Sequence, residues 1–236
     1  MKITLLNYNL YFNKGMIDVP YLIGKYAPDV LCFQENLENQ KVEKLMSAKN
    51  YELAQRQPSF LKHSKEYYIS TFYNKKKLKL INSSYIQLPK SLYEKLLKIF
   101  NRKQFSRNFI VSTFKAGDTV FDIYNVHLSP WAADIEKANQ LKKILSSSQN
   151  IERPTIITGD FNYPYGRKRF EYIIKSNNLN EATQNIIYTF ENKYFGFIPV
   201  RMKVDYVLYK KIKNINSTRL EKLNSDHYPI LTEFFI

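Results

Sequence analysis

Glycine is scarce in this 236-residue chain, at six residues, which excludes an architecture of repeated glycine turns and leaves no glycine-rich nucleotide loop. The single cysteine, Cys32, excludes an internal disulfide framework and fits a reducing compartment. No uninterrupted apolar run approaches the length of a membrane span. The opening stretch from Met1 to Phe12 carries one lysine, is broken by Asn7 and Asn9, and is followed by no small-residue cleavage site. It therefore reads as a strand and not a secretion signal, and the expected location is cytoplasmic. No linker rich in Gly, Ser or Pro and no internal repeat interrupts the chain, so one domain spanning residues 1–236 is expected.

What is present points to a packed globular protein. Hydrophobic residues make up 44%, with 19 Tyr and 16 Phe, and the length suffices for a substantial core. Lys and Arg number 36 against 21 Asp and Glu, a formal charge of +15. Such a field attracts a polyanion, nucleic acid first and an anionic membrane surface second. Three basic clusters carry much of it: Lys75, Lys76, Lys77 and Lys79; Lys95, Lys98, Arg102 and Lys103; and Lys210, Lys211 and Lys213. Net charge bears on association and says nothing about fold or reaction.

Strand and helix signals alternate along the chain. Lys2–Leu10 reads as a strand, and Asp18–Tyr26 as a short helix stopped before Pro28. Val30–Phe33 is a short apolar strand and Asn39–Lys49 a polar helix. Tyr67–Tyr73 and Leu78–Ile81 read as strands joined by the hairpin-like turn Asn74-Lys75-Lys76-Lys77. Ser91–Phe100 is an amphipathic helix with Leu92, Leu96, Ile99 and Phe100 on one face. Phe109–Phe114 and Val120–Asn125 form a hairpin around Ala116-Gly117-Asp118. Ala132–Leu145 is a long helix, followed by a polar loop through Asn150. Thr155–Thr158 and Lys203–Tyr209 are strands, Lys168–Lys175 a helix and Ile230–Phe235 a closing strand. The interleaving predicts an α/β fold, and the hairpins predict mixed or antiparallel sheets.

Acids, amides and imidazoles recur just beyond the ends of the apolar strands: Asn9, Glu35, His127, Asp160 with Asn162, and Asp226 with His227. Loops at one rim of a rigid scaffold are where sites assemble. Carboxylates with an amide suit a hard cation such as Mg²⁺. Two imidazoles suit proton transfer near neutral pH. Of the three histidines, only His63 lies in a loop with nothing to set it apart.

The order of six segments resembles the DNase I-like endonuclease/exonuclease/phosphatase family. They are Leu6-Asn7-Tyr8-Asn9-Leu10, Asp29-Val30-Leu31-Cys32-Phe33-Gln34-Glu35, Asn125-Val126-His127-Leu128, Gly159-Asp160-Phe161-Asn162, Val204-Asp205-Tyr206-Val207-Leu208 and Ser225-Asp226-His227-Tyr228-Pro229-Ile230. The resemblance implies a four-layer α/β sandwich of two mainly antiparallel mixed sheets flanked by helices. It implies that Glu35 is the principal metal ligand, with Asn9 beside it and Asp226 contributing. His127 and His227 would flank the scissile phosphate, one as general base and the other as general acid or phosphate donor. Asp205 would orient His227, Asp160 would orient or activate the attacking water, and Asn162 would donate to the phosphoryl oxygens.

Two narrower matches add Glu66, in Ser64-Lys65-Glu66-Tyr67-Tyr68, as a partner of His127, and Arg107, in Phe105-Ser106-Arg107, as a phosphate contact. One departure is informative. Abasic-site repair members of the family carry an Asp where this chain has Tyr11 and a Tyr where it has His127, so the resemblance runs to the DNase I-like and sphingomyelinase-like branches.

These implications amount to an Mg²⁺-dependent phosphodiester hydrolase, with Mn²⁺ as a possible substitute, acting on DNA or RNA. A sphingomyelinase-like or phosphoinositide-type phosphoesterase with a phospholipid substrate is the alternative. Its hint is the aromatic run Tyr194-Phe195-Gly196-Phe197-Ile198-Pro199. A catalytically dead binding module is disfavoured because every family-core residue that aligns is present. No obligate protein partner is inferred.

Overall fold

The computed structural model describes residues 1–101, 107–147, 152–194 and 197–236, and for 97–101 and 194 the backbone alone. In chain order the first half runs β1 Lys2–Asn9, α1 Val19–Tyr26, β2 Val30–Asn36, α2 Gln40–Ala48, β3 Tyr51–Lys62, β4 Lys65–Asn74, β5 Lys79–Gln87 and α3 Leu92–Asn101. The second half runs β6 Asn108–Ala116, β7 Thr119–His127, α4 Asp134–Ser146, β8 Thr155–Asp160, α5 Arg167–Ser176 and β9 Asn180–Glu181. It ends with β10 Phe190–Tyr194, β11 Ile198–Met202, β12 Asp205–Lys210, β13 Ile215–Arg219 and β14 Ile230–Phe235. Arg102, Lys103, Phe105, Ser106, residues 148–150, Phe195 and Gly196, all read from the sequence above, lie outside the described residues.

The strands form two six-stranded sheets, ordered β13-β14-β1-β2-β4-β3 and β5-β6-β7-β8-β12-β9, and a separate β10-β11 hairpin. Each large sheet has one parallel pair at its centre, β1 with β2 and β7 with β8, and antiparallel neighbours elsewhere. A parallel pair needs a crossover, and α1 and α4 supply it.

Three apolar cores separate four layers. Leu22 and Ile23 of α1 with Val42 and Met46 of α2 cover Leu6, Tyr8, Leu31 and Phe33 on the outer face of the first sheet. Ile3, Leu5, Val30, Cys32, Ile123, Ile156 and Val207 fill the space between the sheets. Leu141 and Ile144 of α4 with Phe170 and Ile174 of α5 cover Tyr124, Val126, Ile157 and Tyr206 on the far side. The period-two alternation of β1 and β2 sends odd and even residues to different cores, and the helices bury stripes at three- and four-residue spacing. The sandwich of two mixed sheets between helices is the architecture expected from the family resemblance.

Three readings of the sequence need correction. Asn74–Lys77 is not a hairpin, because β4 belongs to the first sheet and β5 to the second. Asn74 N–H donates to Asp29 O at 2.8 Å and Lys77 Nζ reaches Asp29 Oδ2 at 2.7 Å, which pins the crossing between layers. On α3 the described part of the apolar face, Leu92 and Leu96, is exposed, whereas Glu94 is buried. Ser91 N–H donates to Glu94 Oε2 at 2.9 Å and Glu94 N–H to Ser91 Oγ at 3.2 Å, a capping box that turns the carboxylate inward. Finally, β3 is an edge strand that the sequence pattern did not announce. It contains Pro58, which an edge tolerates, and two register shifts against β4.

Candidate active site

Register collects the polar strand ends at one rim. Asn9 pairs with Gln34, His127 with Asp160, and Asp160 with Asp205 across the antiparallel β12. Strict alternation would send Glu35 to the helix-covered face of Leu31 and Phe33. A bulge between Phe33 and Asn36, with Glu35 at φ 59°, redirects its carboxylate to the rim. Asn162 is also in the left-handed region, at φ 47°. Backbone strain of this kind clusters where function requires it. The Asp226–His227 loop is tied down from below: Ser225 Oγ donates to Asn9 O at 2.7 Å, and Asn224 N–H to the buried Asp18 at 3.0 Å.

Asp160 lies at the centre. Its Oδ2 accepts from Asn9 Nδ2 at 3.0 Å and sits 3.7 Å from His127 Nε2 and 3.9 Å from His227 Nε2. Its Oδ1 accepts from Asn162 N–H at 2.8 Å. Glu35 Oε1 is 3.8 Å from His127 Nε2, and Asp226 Oδ1 is 3.9 Å from His227 Nε2. Asp205 Oδ2 is 2.8 Å from His227 Nδ1, so this carboxylate fixes which ring nitrogen faces the cluster. Glu35, Asp160, Asn162, Asp226 and His227 share the wall of a cavity of about 720 Å³.

The environment separates the two imidazoles. Burial, reinforced by the Arg107 guanidinium, holds His127 well below its ordinary pKa and therefore neutral. Burial also opposes charge on His227, but Asp205, Asp160 and Asp226 outweigh it and push the ring up to about 10. Burial raises Glu35 and Asp226, and it pushes Asp160 up to about 7 although the His227 charge pulls the other way. Pairs of groups driven apart in this manner are the usual basis of acid and base assignments.

Several expected placements differ. Glu66 does not meet His127: it is exposed and accepts from Tyr68 Oη at 2.7 Å. Its neighbour Tyr67 takes the inward position, and strand parity sends Glu66 to the opposite face. Ser59 Oγ, 3.1 Å from His127 Nδ1, occupies the place expected for it. Arg107 lines the cavity, yet most of its fork is committed behind His127. Nε donates to Glu94 Oε1 at 3.2 Å, and Nη1 lies 3.3 Å from Ser59 Oγ and 3.2 Å from His127 Nε2. Asn9 turns its amide nitrogen toward the carboxylates, at 3.5 Å from Glu35 Oε1, while its oxygen accepts from Tyr11 N–H at 3.0 Å. Asn9 thus lies beside Glu35 and bridges it to Asp160. Asn162 donates one amide hydrogen to Leu128 O at 3.1 Å.

Two basic clusters lie at the wrong end. Lys75–Lys79 joins Lys115 and Gly117 around a second, shallow cavity beside the start of β2, and Lys210 pairs with Thr155 at the start of β8. Both flank the rim opposite the candidate site. Of the third cluster, Lys95 is exposed on α3, whose Tyr93 lines the site cavity. Of the aromatic run, the described residues Phe197 and Ile198 are exposed, Phe197 at 73%. Ser59, Glu94, Trp131 and Lys137 went unread. Only Glu94 carried a signal, the Ser-x-x-Glu spacing of a capping box.

The donors suit a divalent cation. Three carboxylates crowd one cavity wall, burial raises the pKa of each, and Asp226 Oδ1 is buried without a hydrogen-bond partner. Like charges held together in an apolar pocket are stabilised by a cation. Among the described residues no group of three or more His, Cys, Asp or Glu is close enough to enclose a metal alone.

The endonuclease/exonuclease/phosphatase family model matches residues 6–227, and the chain belongs to that family, whose members hydrolyse phosphoester bonds and generally use divalent metal ions. No sequence among the curated proteins matches the chain significantly. The structure is similar to the human nocturnin catalytic domain with bound sulfate anion, at 19% identity and TM-score 0.74, over 99% of this chain and 94% of that one. It is similar to D. rerio TDP2 complexed with single strand DNA product, at 15% identity and TM-score 0.71, over 100% and 99%. It is also similar to the mannosyl-6-phosphatase Bt3783 of Bacteroides thetaiotaomicron, at 14% identity and TM-score 0.73, over 99% and 100%. At these identities the likeness is one of fold. No described helix is long and apolar enough to cross a membrane.

Proposed function

We propose that this phosphoesterase is a divalent-cation-dependent nuclease cleaving DNA or RNA by in-line attack of water on phosphorus. The observation that carries the reading is Asp160 Oδ2 set between the Nε2 atoms of His127 and His227, at 3.7 and 3.9 Å, on a carboxylate-lined cavity wall.

Glu35 and Asp226 would hold the cation, Mg²⁺ or Mn²⁺ in its place, which when bound neutralises charge on a phosphate oxygen. The remaining work falls to the chain's own side chains. Asp160, with its pKa pushed up to about 7, is matched to accept a proton from the attacking water at Oδ2. His227, held charged and oriented by Asp205, donates from Nε2 to the phosphate and supplies the proton taken up by the sugar oxygen that leaves as its bond to phosphorus breaks. His127 stays neutral with Arg107 and Ser59 behind it, and presents its ring to the same phosphate without a second full charge. The free amide hydrogen of Asn162 reaches a phosphoryl oxygen. Arg107 acts by setting the position and charge state of His127.

The test is hydrolysis by the purified protein with Mg²⁺ or Mn²⁺, alongside EDTA and His227→Ala controls, on plasmid DNA, single-stranded RNA and sphingomyelin vesicles. Metal-dependent cleavage of polynucleotide that His227→Ala abolishes is the expected result. Choline-phosphate release without cleavage of either nucleic acid overturns the nuclease reading and moves the substrate to lipid.

A further inference from the structure

The loops that leave β7 and β8 run side by side, because the two strands are parallel neighbours with His127 opposite Asp160. Each loop presents an aromatic ring directly after a proline: Pro130-Trp131, four residues past His127, and Pro164-Tyr165, five past Asp160. Proline fixes φ, so both rings are held on stiffened backbone. Trp131 is 72% exposed and Tyr165 77% exposed, yet both line the same cavity as Asp160 and His227. Tyr93 of α3 stands beside Trp131, ring centroids 6.1 Å apart at 48°. Four residues of chain place the Cα of Trp131 at most about 14 Å from that of His127.

Lys137, in the first turns of α4, lines this cavity as well. Among the described residues no group bonds to its ammonium, and Asp160 and Asp134 act on it only through their field. An ammonium with no bonded partner among the described residues, on the same cavity wall as two exposed aromatic rings, suits a ligand that is flat and anionic at once.

We infer that the β7 and β8 loops form a nucleobase subsite, with Trp131 as the stacking platform and Lys137 as the contact for the adjoining phosphate. The inference rests on the nuclease reading above and narrows it to a strand whose bases are unstacked, since a paired base offers no face to an indole. A quaternary ammonium headgroup would also seek an aromatic wall, so phosphocholine is one arm of the test.

Trp131 is the sole tryptophan of the chain, so its emission reports this subsite directly. The turnover-blocked His227→Ala protein, with Mg²⁺ present, is titrated with an oligothymidylate, the same length of abasic strand, phosphocholine, and phosphatidylserine–sphingomyelin vesicles. Saturable quenching by the base-bearing strand and little by the abasic one is expected. In anisotropy measurements Trp131→Ala weakens oligothymidylate binding by about 5- to 150-fold and brings base-bearing and abasic affinities together, while Trp131→Phe restores most of the difference. Lys137→Met lowers the salt slope by about 0.7. Equal quenching by the abasic strand, or a response to phosphocholine or vesicles with none to the oligonucleotide, overturns the subsite. Cleavage of polynucleotide by the wild-type protein without selective quenching sinks the subsite and leaves the nuclease reading; selective quenching without cleavage does the reverse.

Discussion

Asp160, His227 and Asp205 act as one chain of contacts, so their removal should not be additive. His227→Ala is expected to lower kcat by about 10²- to 10⁴-fold, the usual worth of a placed acid or base, with the fold intact by near-UV circular dichroism. Asp205→Asn keeps the shape but loses the carboxylate that holds Nδ1 at 2.8 Å, and a loss of roughly 10- to 100-fold is expected. Because Asp205 works through the ring, the double variant should be no slower than His227→Ala alone. Multiplied losses in kinetics of the four proteins would show that Asp205 has an independent role. Glu35→Gln should abolish metal-dependent turnover, and calorimetric titration with Mg²⁺ should show weakened binding; undiminished binding would remove Glu35 from the metal site. These residues were legible because strand ends and motif order mark them. Ser59 and Arg107 were not legible as a pair: their meeting at His127 depends on a β3 that the sequence pattern hides and on Glu94 turning inward from α3.

Between elements, the junction of β9, β12 and α5 is held by charge. Lys203 Nζ lies 2.6 Å from Glu181 Oε1, and Arg167 Nη2 bonds the other oxygen. Burial pushes the Glu181 carboxyl up, but Lys203 and Arg167 outweigh it and set its pKa below the ordinary value. Burial lowers Lys203 itself, so part of the attraction is spent on desolvation. Glu181→Gln should therefore cost roughly 2 kcal/mol at pH 7, within the range for hydrogen bonds to charged groups. A carboxyl with a depressed folded pKa stabilises fully above its unfolded value, about 4.3, and loses that contribution as pH falls through the folded value. Urea melts of both proteins should show the gap at pH 7 and its narrowing as pH falls below about 4.3; a gap that does not change with pH would mean packing and not charge. At this scale the sequence read helices and central strands well, because their apolar period is strong. It misplaced the turn at Asn74–Lys77, since a basic polar turn has the same local signature whether the next strand joins the same sheet or crosses to the other. It passed over β10, β11 and β13, which are half-exposed and lack a strong apolar alternation.

Over the whole molecule, with its charge of +15, the basic cluster of Lys75, Lys76, Lys77 and Lys79 and the residue Lys210 lie at the rim away from the site. Lys75, Lys76 and Lys79 sit at the start of β2, and Glu35 at its end. Five residues of strand separate these ends by about 17 Å. The Debye length is about 8 Å at physiological ionic strength and about 30 Å at 10 mM salt. The cluster therefore acts on a substrate at the site only through the long-range field, and only when salt is low. Replacing Lys75, Lys76 and Lys79 together by Gln should leave kcat/KM for a short single-stranded oligonucleotide within about 2-fold at 150 mM salt, because two screening lengths intervene. At 10 mM salt the same variant should lose several-fold, all of it in the association rate, because steering by net charge survives at that range. Lys77 is left in place, since its bond to Asp29 ties the layer crossing and its loss would confound stability with charge. Stopped-flow association at the two salt concentrations separates these effects. A large loss at 150 mM would mean that the strand bends around the molecule and touches the far rim, so that the basic faces form one continuous track with the site. No loss at 10 mM would mean that the local carboxylates, and not the net charge, govern approach.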